Sequence, residues 1–321
     1  MAIVEIFKQL NYEIDVVPCY TPAFDRYHLK KKYDVIFGFG PNYIRACRSN
    51  PRAKKIIYLT ESSPDFSLNQ EKKRIEDFYK RTGEKISIAR SGLYLTNEDI
   101  QISEYGILVG NQVTLNSYNH YNKKILTIPV TGLLNSEFRK SEITPNLSSK
   151  AFLWLGSHGA IHKGLDLCIE AFKKLPEMTL YVAGVDKKES WLIKNLPPNI
   201  KSLGFINIQS KQFLELRSKC RFKILPSCSE GMSTSVITAM NHAIIPIVTK
   251  ETGIDLDFPE LYLESCEIGD IISKAKFISS LPEARLKEIE DSVYNYAQKT
   301  YSVENFKRCL QKALSSLINE D

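Results

Sequence analysis

Short apolar runs alternate with helix-period stretches along almost all of this 321-residue chain. The runs "YEIDVVP", "YDVIFGFG", "KKIIYLTES", "YGILVGN" and "KKILTIPV" are rich in β-branched and aromatic residues. Each closes on or near Gly, Pro, Ser or Asn, as strands entering turns do. Between them "AIVEIFKQL", "PNYIRACRS", "NQEKKRIEDFYKRTG" and "VTLNSYNHY" carry the helical period. Strand, helix and strand joined by a few residues give parallel pairing, because the helix carries the chain back to the starting edge. The fold class is therefore α/β, with mainly parallel sheets covered on both faces.

The alternation breaks once. From 137 to 150, "EFRKSEITPNLSSK" loses its apolar period and gathers Ser, Thr, Pro and Asn, and residues 141–150 are the expected linker. The pattern restarts with "AFLWLGS", "KGLDLCIEAFKKL", "MTLYVAG", "KKESWLIKNL", "IKSLGFI", "SKQFLELRSKC", "RFKILPS", "STSVITAMNHA" and "IIPIVT". Residues 268–318 read as almost wholly helical. The expected domains are 1–140 and 151–300, with a terminal helix at 301–321 placed to pack back on the first domain. Two Rossmann-like domains of this kind face each other across a cleft at the carboxyl ends of their strands. The first domain opens on a helix, so it lacks the first strand and glycine-rich turn that usually begin such a domain.

Composition narrows the setting. No apolar run approaches the ~20 residues of a membrane span. The start of the sequence lacks the pattern of a cleaved signal. The 7 cysteines are scattered without a C-x-x-C pair, which fits reduced thiols in a cytoplasmic protein. Asn146-Leu147-Ser148 is a formal glycosylation sequon, read in that setting as chance. Net charge is +6, and residues 1–60 hold ten Lys or Arg against five acids. "HLKKKY" and "RSNPRAKK" suit an anionic membrane surface, placing the protein in the cytoplasm or peripherally on the inner membrane face. No aromatic residues interleave with the basic ones, and nucleic acid is not an expected partner.

Two stretches carry the candidate chemistry. In "LGSHGAIHKG", Gly156, Ser157, His158 and Gly159 follow a strand, and Lys163 opens the next helix, an arrangement of amides and ammonium suited to a diphosphate. A plain turn is the simpler reading. In "PSCSEGMSTSVITAM", Glu230 and Gly231 precede Met232, Ser233 and Thr234 at a helix start, where an anion is attracted and Glu230 can accept from sugar hydroxyls. Simple capping by Ser233 with Glu230 exposed is equally compatible with the spacing.

Together these stretches resemble the carboxyl-terminal domain of retaining GT-B glycosyltransferases of the family 4 type, the glycosyl transferases group 1. The resemblance rests on Gly156-Ser157…Lys163-Gly164, on Glu230-Gly231-Met232-Ser233-Thr234-Ser235-Val236-Ile237-Thr238-Ala239-Met240 and on Pro246-Ile247-Val248. It covers 151–248 well and the rest mainly through element order and "KILTIPVTGLL". It implies transfer of a hexose-type sugar from a nucleotide-diphosphate sugar to a glycan or lipid-linked acceptor, with retention, in the manner of surface-polysaccharide assembly. No cofactor beyond the nucleotide-sugar co-substrate and no metal is implied. Lys163 would neutralise the diphosphate with amides around Gly159 and Ser233–Thr234, Glu230 would hold the sugar, and Gly204, Phe205 and Ile206 would line the base pocket. The chain departs from the family where Thr238 replaces a second Glu, which should weaken ribose binding by ~1–2 kcal/mol. Ser157 replaces an Arg, leaving Lys163 as the one obvious phosphate cation. Glu61 stands where many relatives have His, as a base, an acceptor ligand or a helix cap. A catalytically inactive GT-B module that binds a nucleotide sugar or a partner glycosyltransferase fits these departures as the alternative.

Overall fold

A computed structural model of the chain describes residues 2–20, 30–92, 95–142 and 148–320. Residues 143–147 of the expected linker, including the Asn146 sequon position, lie outside the described residues, as do His28 and Leu29 of the basic "HLKKKY" stretch.

The first sheet contains β1 (Val35–Gly38), β2 (Lys54–Leu59), β3 (Tyr105–Val109) and β4 (Lys124–Ile128), parallel throughout and in that order. Ile56, Ile57 and Leu59 of β2 are buried together because helices cover both faces. Those helices are α1 (Ala2–Gln9), α2 (Pro41–Ser49), α3 (Pro64–Thr82), α4 (Asn97–Ile102) and α5 (Gln112–Asn116). Ser63 caps α3 by accepting from the Phe66 amide, Pro64 opens it, and Gly83 closes it at φ 73°. The sequence reading overlooked α4, although Thr96 and Asp99 form a reciprocal capping box at its start.

One expected strand does not form. Residues 12–18, "YEIDVVP", form neither strand nor helix. Asp15 and Val17 of this run line cavities of about 410 and 520 Å³ together with Val35 and Phe37 of β1. Alternation supplies the strand pattern, but a strand also needs a neighbour within hydrogen-bond reach.

The second sheet has order β7-β6-β5-β8-β9, again parallel. Its strands are β5 (Ala151–Leu155), β6 (Thr179–Ala183), β7 (Ile200–Ser202), β8 (Phe222–Leu225) and β9 (Ile245–Val248). Helices α6 (Leu165–Lys173), α7 (Lys211–Arg217) and α8 (Thr234–Asn241) connect them. "KKESWLIKNL" forms a 3-10 turn at Lys187–Ile193 in place of the expected α-helix. None of its residues is buried, so no apolar face locks a full helix against the sheet. The order runs from β5 outward to β7, then restarts on the other side of β5 with β8. The loops after β5 and β8 therefore part at a topological switch point, where open α/β sheets bind ligands.

Three helices follow, α9 (Ile268–Ser279), α10 (Glu283–Thr300) and α11 (Val303–Ile318). The last lies against α1, β3 and β4 of the first domain. Lys54 Nζ donates to the Ile318 carbonyl at 2.7 Å, and Lys307 pairs with Glu5 at 2.6 Å.

A buried ion pair joins the two domains. Arg74 of α3 donates to both oxygens of Asp166 on α6 at 2.9 and 3.1 Å, and Arg81 reaches the same carboxylate. The Arg74 and Asp166 side chains are 4% and 3% exposed. Burial alone would ease the proton off Arg74, but Asp166 outweighs it and raises the guanidinium's affinity for its proton. Asp166→Ala strands Arg74 in a dry interface and should lower unfolding free energy by about 3–5 kcal/mol in urea titration, whereas the double variant R74M/D166L should recover most of that loss. An unchanged urea midpoint for the single variant would show that water reaches the pair.

Candidate active site in the interdomain cleft

A cleft of about 780 Å³ opens at the switch point of the second sheet and is roofed by the first domain. Lys163, at the end of the loop after β5, places Nζ 3.0 Å from Oε1 of Glu230, on the loop after β8. Ser227 donates to the same oxygen at 3.0 Å. Arg90 of the first domain approaches Oε2 at 3.1 Å through Nη2. The Lys163 ammonium is 6% exposed and has Glu230 as its described partner, which does not saturate its three N–H donors.

Charge and burial oppose each other throughout this cluster. Burial would raise the Glu230 carboxyl, but Lys163 and Arg90 overcome it and hold the group well below the carboxylate range. Burial lowers Lys163 in spite of Glu230 beside it. Glu61, at the carboxyl end of β2, is raised, first by burial and against the pull of Arg90. Beneath the site Lys223, fully enclosed on β8, donates to the Leu155 carbonyl at 2.7 Å and is pushed down to about 7 by burial.

Of the residues singled out in sequence, Glu61, Gly156, Ser157, Lys163, Phe205, Ile206, Glu230, Met232, Ser233, Thr234 and Thr238 line the cleft. His158, Gly159, Gly204 and Gly231 do not line it. The His158 ring contacts the Ala89 carbonyl at 2.5 Å. The Gly159 and Ala160 amides, expected to face a diphosphate, donate to the Glu189 carboxylate at 2.9 and 2.8 Å. The Ser233 amide likewise donates to the Thr252 carbonyl at 2.9 Å. That leaves the first-turn amides of Thr234 and Ser235, which precede any intrahelical acceptor.

Two glycines have reasons other than ligand approach. A Cβ at Gly156 would stand 2.3 Å from the Trp154 ring, so its bareness serves the core. A Cβ at Gly231 would meet the Thr60 carbonyl at 2.3 Å, so this glycine lets the first domain close on the loop. Ser62 donates to the Glu230 carbonyl at 2.6 Å and Thr114 to that of Gly231 at 2.8 Å, completing the closure. The plain capping alternative does not hold either. Ser233 makes no side-chain cap bond, and Glu230 is buried.

Thr238, expected to hold a ribose weakly, accepts the Leu133 amide at 3.0 Å. The segment entering from the first domain lies directly on α8, and a Cβ at Gly132 would stand 2.7 Å from the Thr238 amide nitrogen. Arg90 and Glu71 escaped sequence reading altogether. Glu71 is 2% exposed on α3 and accepts the amides of Ala89, Arg90 and Ser91. No local pattern marks an arginine that acts 140 residues away.

Residues 149–261 match the family described as Glycosyl transferases group 1. No curated protein sequence matches the chain. Among solved structures it is similar to Anabaena HepE in complex with UDP and glucose, at 14% identity and TM-score 0.64 over 88% of this chain and 78% of that one. A glycosyltransferase from Rickettsia africae matches at 14% identity and TM-score 0.60, covering 99% and 80%. TarM matches at 16% identity and TM-score 0.60 over 92% of this chain and 57% of its own. The chain thus spans little more than half the length of TarM, and 55% of the pneumococcal O-GlcNAc transferase GtfA. Likeness at this level establishes the fold: GT-B, two Rossmann-like α/β domains facing across the cleft just described.

Two buried histidines make the fold acid-sensitive. Burial pushes His162 and His242 each down to about 4 from 6.5. Both stay neutral when folded and take up protons on unfolding, so the stability they contribute is present above pH 6.5 and lost as pH falls toward 4. Glu61 and Glu290, raised by burial, act in the opposite sense from 4.5 upward. Chemical denaturation between pH 7 and 4.5 should show a steeper loss for the wild type than for H162N/H242N, by up to about 1.4 kcal/mol per pH unit for each histidine. Parallel curves would refute the assignment.

Proposed function

We propose that the protein is a glycosyltransferase that takes a nucleotide-diphosphate sugar in this cleft and transfers the hexose-type sugar to a glycan or lipid-linked acceptor. The observation that carries this reading is the Lys163 ammonium: buried, unsaturated in its hydrogen bonds and facing a cleft that also receives the uncapped start of α8. An anion there gains both the ammonium and the first-turn amides. The family match over residues 149–261 and the UDP held by HepE and TarM structures support a nucleotide diphosphate as that anion.

In this reading the diphosphate lies between Lys163 and the α8 start, and Phe205, 85% exposed at the rim, offers its ring to the base. Glu230, fixed as a carboxylate, accepts hydroxyls of the transferred sugar. The bond from the anomeric carbon to the diphosphate oxygen breaks as the acceptor oxygen bonds to the same face, retaining configuration. The acceptor proton passes to the departing phosphate oxygen. Leaving-group stabilisation and positioning supply most of the catalysis, without a divalent metal. Glu61, raised by burial, faces the acceptor side as a hydrogen-bonding group for its hydroxyl.

Surface-polysaccharide assembly at the inner membrane face suits the exposed Lys30, Lys32, Arg45 and Arg52 of the first domain. Among the described residues no helix is long and apolar enough to cross a membrane. A second reading, a non-catalytic module that binds a nucleotide sugar or a partner transferase, is favoured by the Leu133 amide taking one acceptor position of the Thr238 hydroxyl.

Calorimetry with UDP-, GDP- and ADP-sugars, followed by donor-hydrolysis and transfer assays in EDTA, separates the two readings. Lys163→Ala and Glu230→Ala should each cut turnover at least roughly a hundredfold while circular dichroism stays unchanged. Binding without turnover in the wild type supports the module. Equal turnover in wild type and both variants rules out this cleft as the site of transfer.

A further inference from the structure

Lys163 and Glu230 together carry no net charge, and Ser157 adds none. A diphosphate brought to that pair alone would meet a neutral couple of almost wholly buried side chains, an unfavourable place for an anion. We infer that Arg90, delivered from the first domain, is the second cation of the anion site, and that Glu71 is the residue that positions it. This inference rests on the nucleotide-diphosphate reading above.

The geometry supports a fixed, not a wandering, guanidinium. Arg90 belongs to a segment without helix or strand, where a long side chain would ordinarily be free. Glu71 removes that freedom by accepting three successive amides, Ala89 at 2.8 Å, Arg90 at 3.1 Å and Ser91 at 2.7 Å. Burial would raise Glu71, but these bonds hold it ionised below the usual range. From the second domain, the His158 ring engages the Ala89 carbonyl, and bare Gly159 makes room for the arginine stem. A Cβ there would stand 3.3 Å from both Cβ and Cδ of Arg90.

The segment is thus pinned from both domains, and the guanidinium enters the cleft with its side chain 18% exposed. Its planar fork of five N–H donors can meet the Glu230 carboxylate and a phosphate oxygen together, which an ammonium matches less well. With Arg90 counted, Lys163, Arg90 and Glu230 sum to one positive charge, and the Glu61 carboxyl in the same cleft is raised by burial. Two consequences follow. The anion site is complete only when the first domain is docked, and donor binding favours the closed arrangement. The missing charge at Ser157 is compensated from across the cleft.

The test compares UDP, GDP and ADP with their nucleosides by calorimetry at two ionic strengths. Arg90→Ala should weaken the preferred diphosphate by roughly tenfold to a hundredfold and leave its nucleoside unchanged. The affinity of the variant should also depend less on salt. Glu71→Gln should lose affinity in the same direction. Moving the charge back to the loop after β5, in R90A/S157R and E71Q/S157R, should recover most of both losses, which a merely structural defect would not do. Arg90→Gln, close in size, is read in the same way should R90A fail to fold. If R90A and R90Q bind the diphosphate as the wild type does while K163A does not, Arg90 has no such role and the donor reading stands. If R90A loses nucleoside and diphosphate alike and S157R restores neither, its role is structural and the inference falls. Absence of diphosphate binding in the wild type would overturn the donor reading and this inference with it.

Discussion

Two carboxylates of the second domain, Asp166 and Glu230, are buried against cations of the first, and the closed arrangement depends on their pairing. A carboxylate removed from water costs several kcal/mol unless a partner is in place. The pairs therefore add little net stability, but they penalise every other docking of the domains heavily. Asp166 draws its described cations entirely from α3. Glu230 has one cation from its own domain and one from the other, so the same constraint that fixes the interface also shapes the cleft.

Topology decides where that charge can be used. In the second sheet the order reverses at β5, and the loops after β5 and β8 part there. Lys163 and Glu230 lie 67 residues apart in sequence and 3.0 Å apart in space for this reason. The first domain then closes from above through small contacts. Ser62 and Thr114 grip the backbone of the loop after β8, and Gly231 is bare because the Thr60 carbonyl needs the space. A glycine that resembles a ligand-binding position in sequence is thereby a docking position. Gly159 is similar, its amide committed to Glu189 and its missing side chain yielding to Arg90.

Much of the fold was legible because it rests on local rules. Apolar runs followed by helical periods name the strands of both sheets; Gly83 closes α3 where "NQEKKRIEDFYKRTG" ends, although the helix begins earlier, at Pro64 behind the Ser63 cap. The failures are equally physical. Residues 12–18 alternate like a strand but make no ladder pairing with β1, and residues 187–193 have a helical period with no buried face. In the site, Lys163 and Glu230 were singled out from the spacing of residues in their two loops, and the structure brings both into one cleft. Thr238 was assigned a ligand that its hydroxyl does not face alone, since the Leu133 amide comes from a segment 105 residues earlier.

The sequence by itself determined the α/β class and the succession of strand and helix segments, because period and turn chemistry are local or nearly local properties. Only the tertiary structure decided which polar groups remain available in the cleft. Amides around Gly159 and Ser233 were consumed by Glu189 and Thr252, while Arg90 was brought in on a segment held by Glu71. Whether a donor is spent or free, and whether a charge is balanced, depends on what burial places beside it, and no spacing along the chain records that.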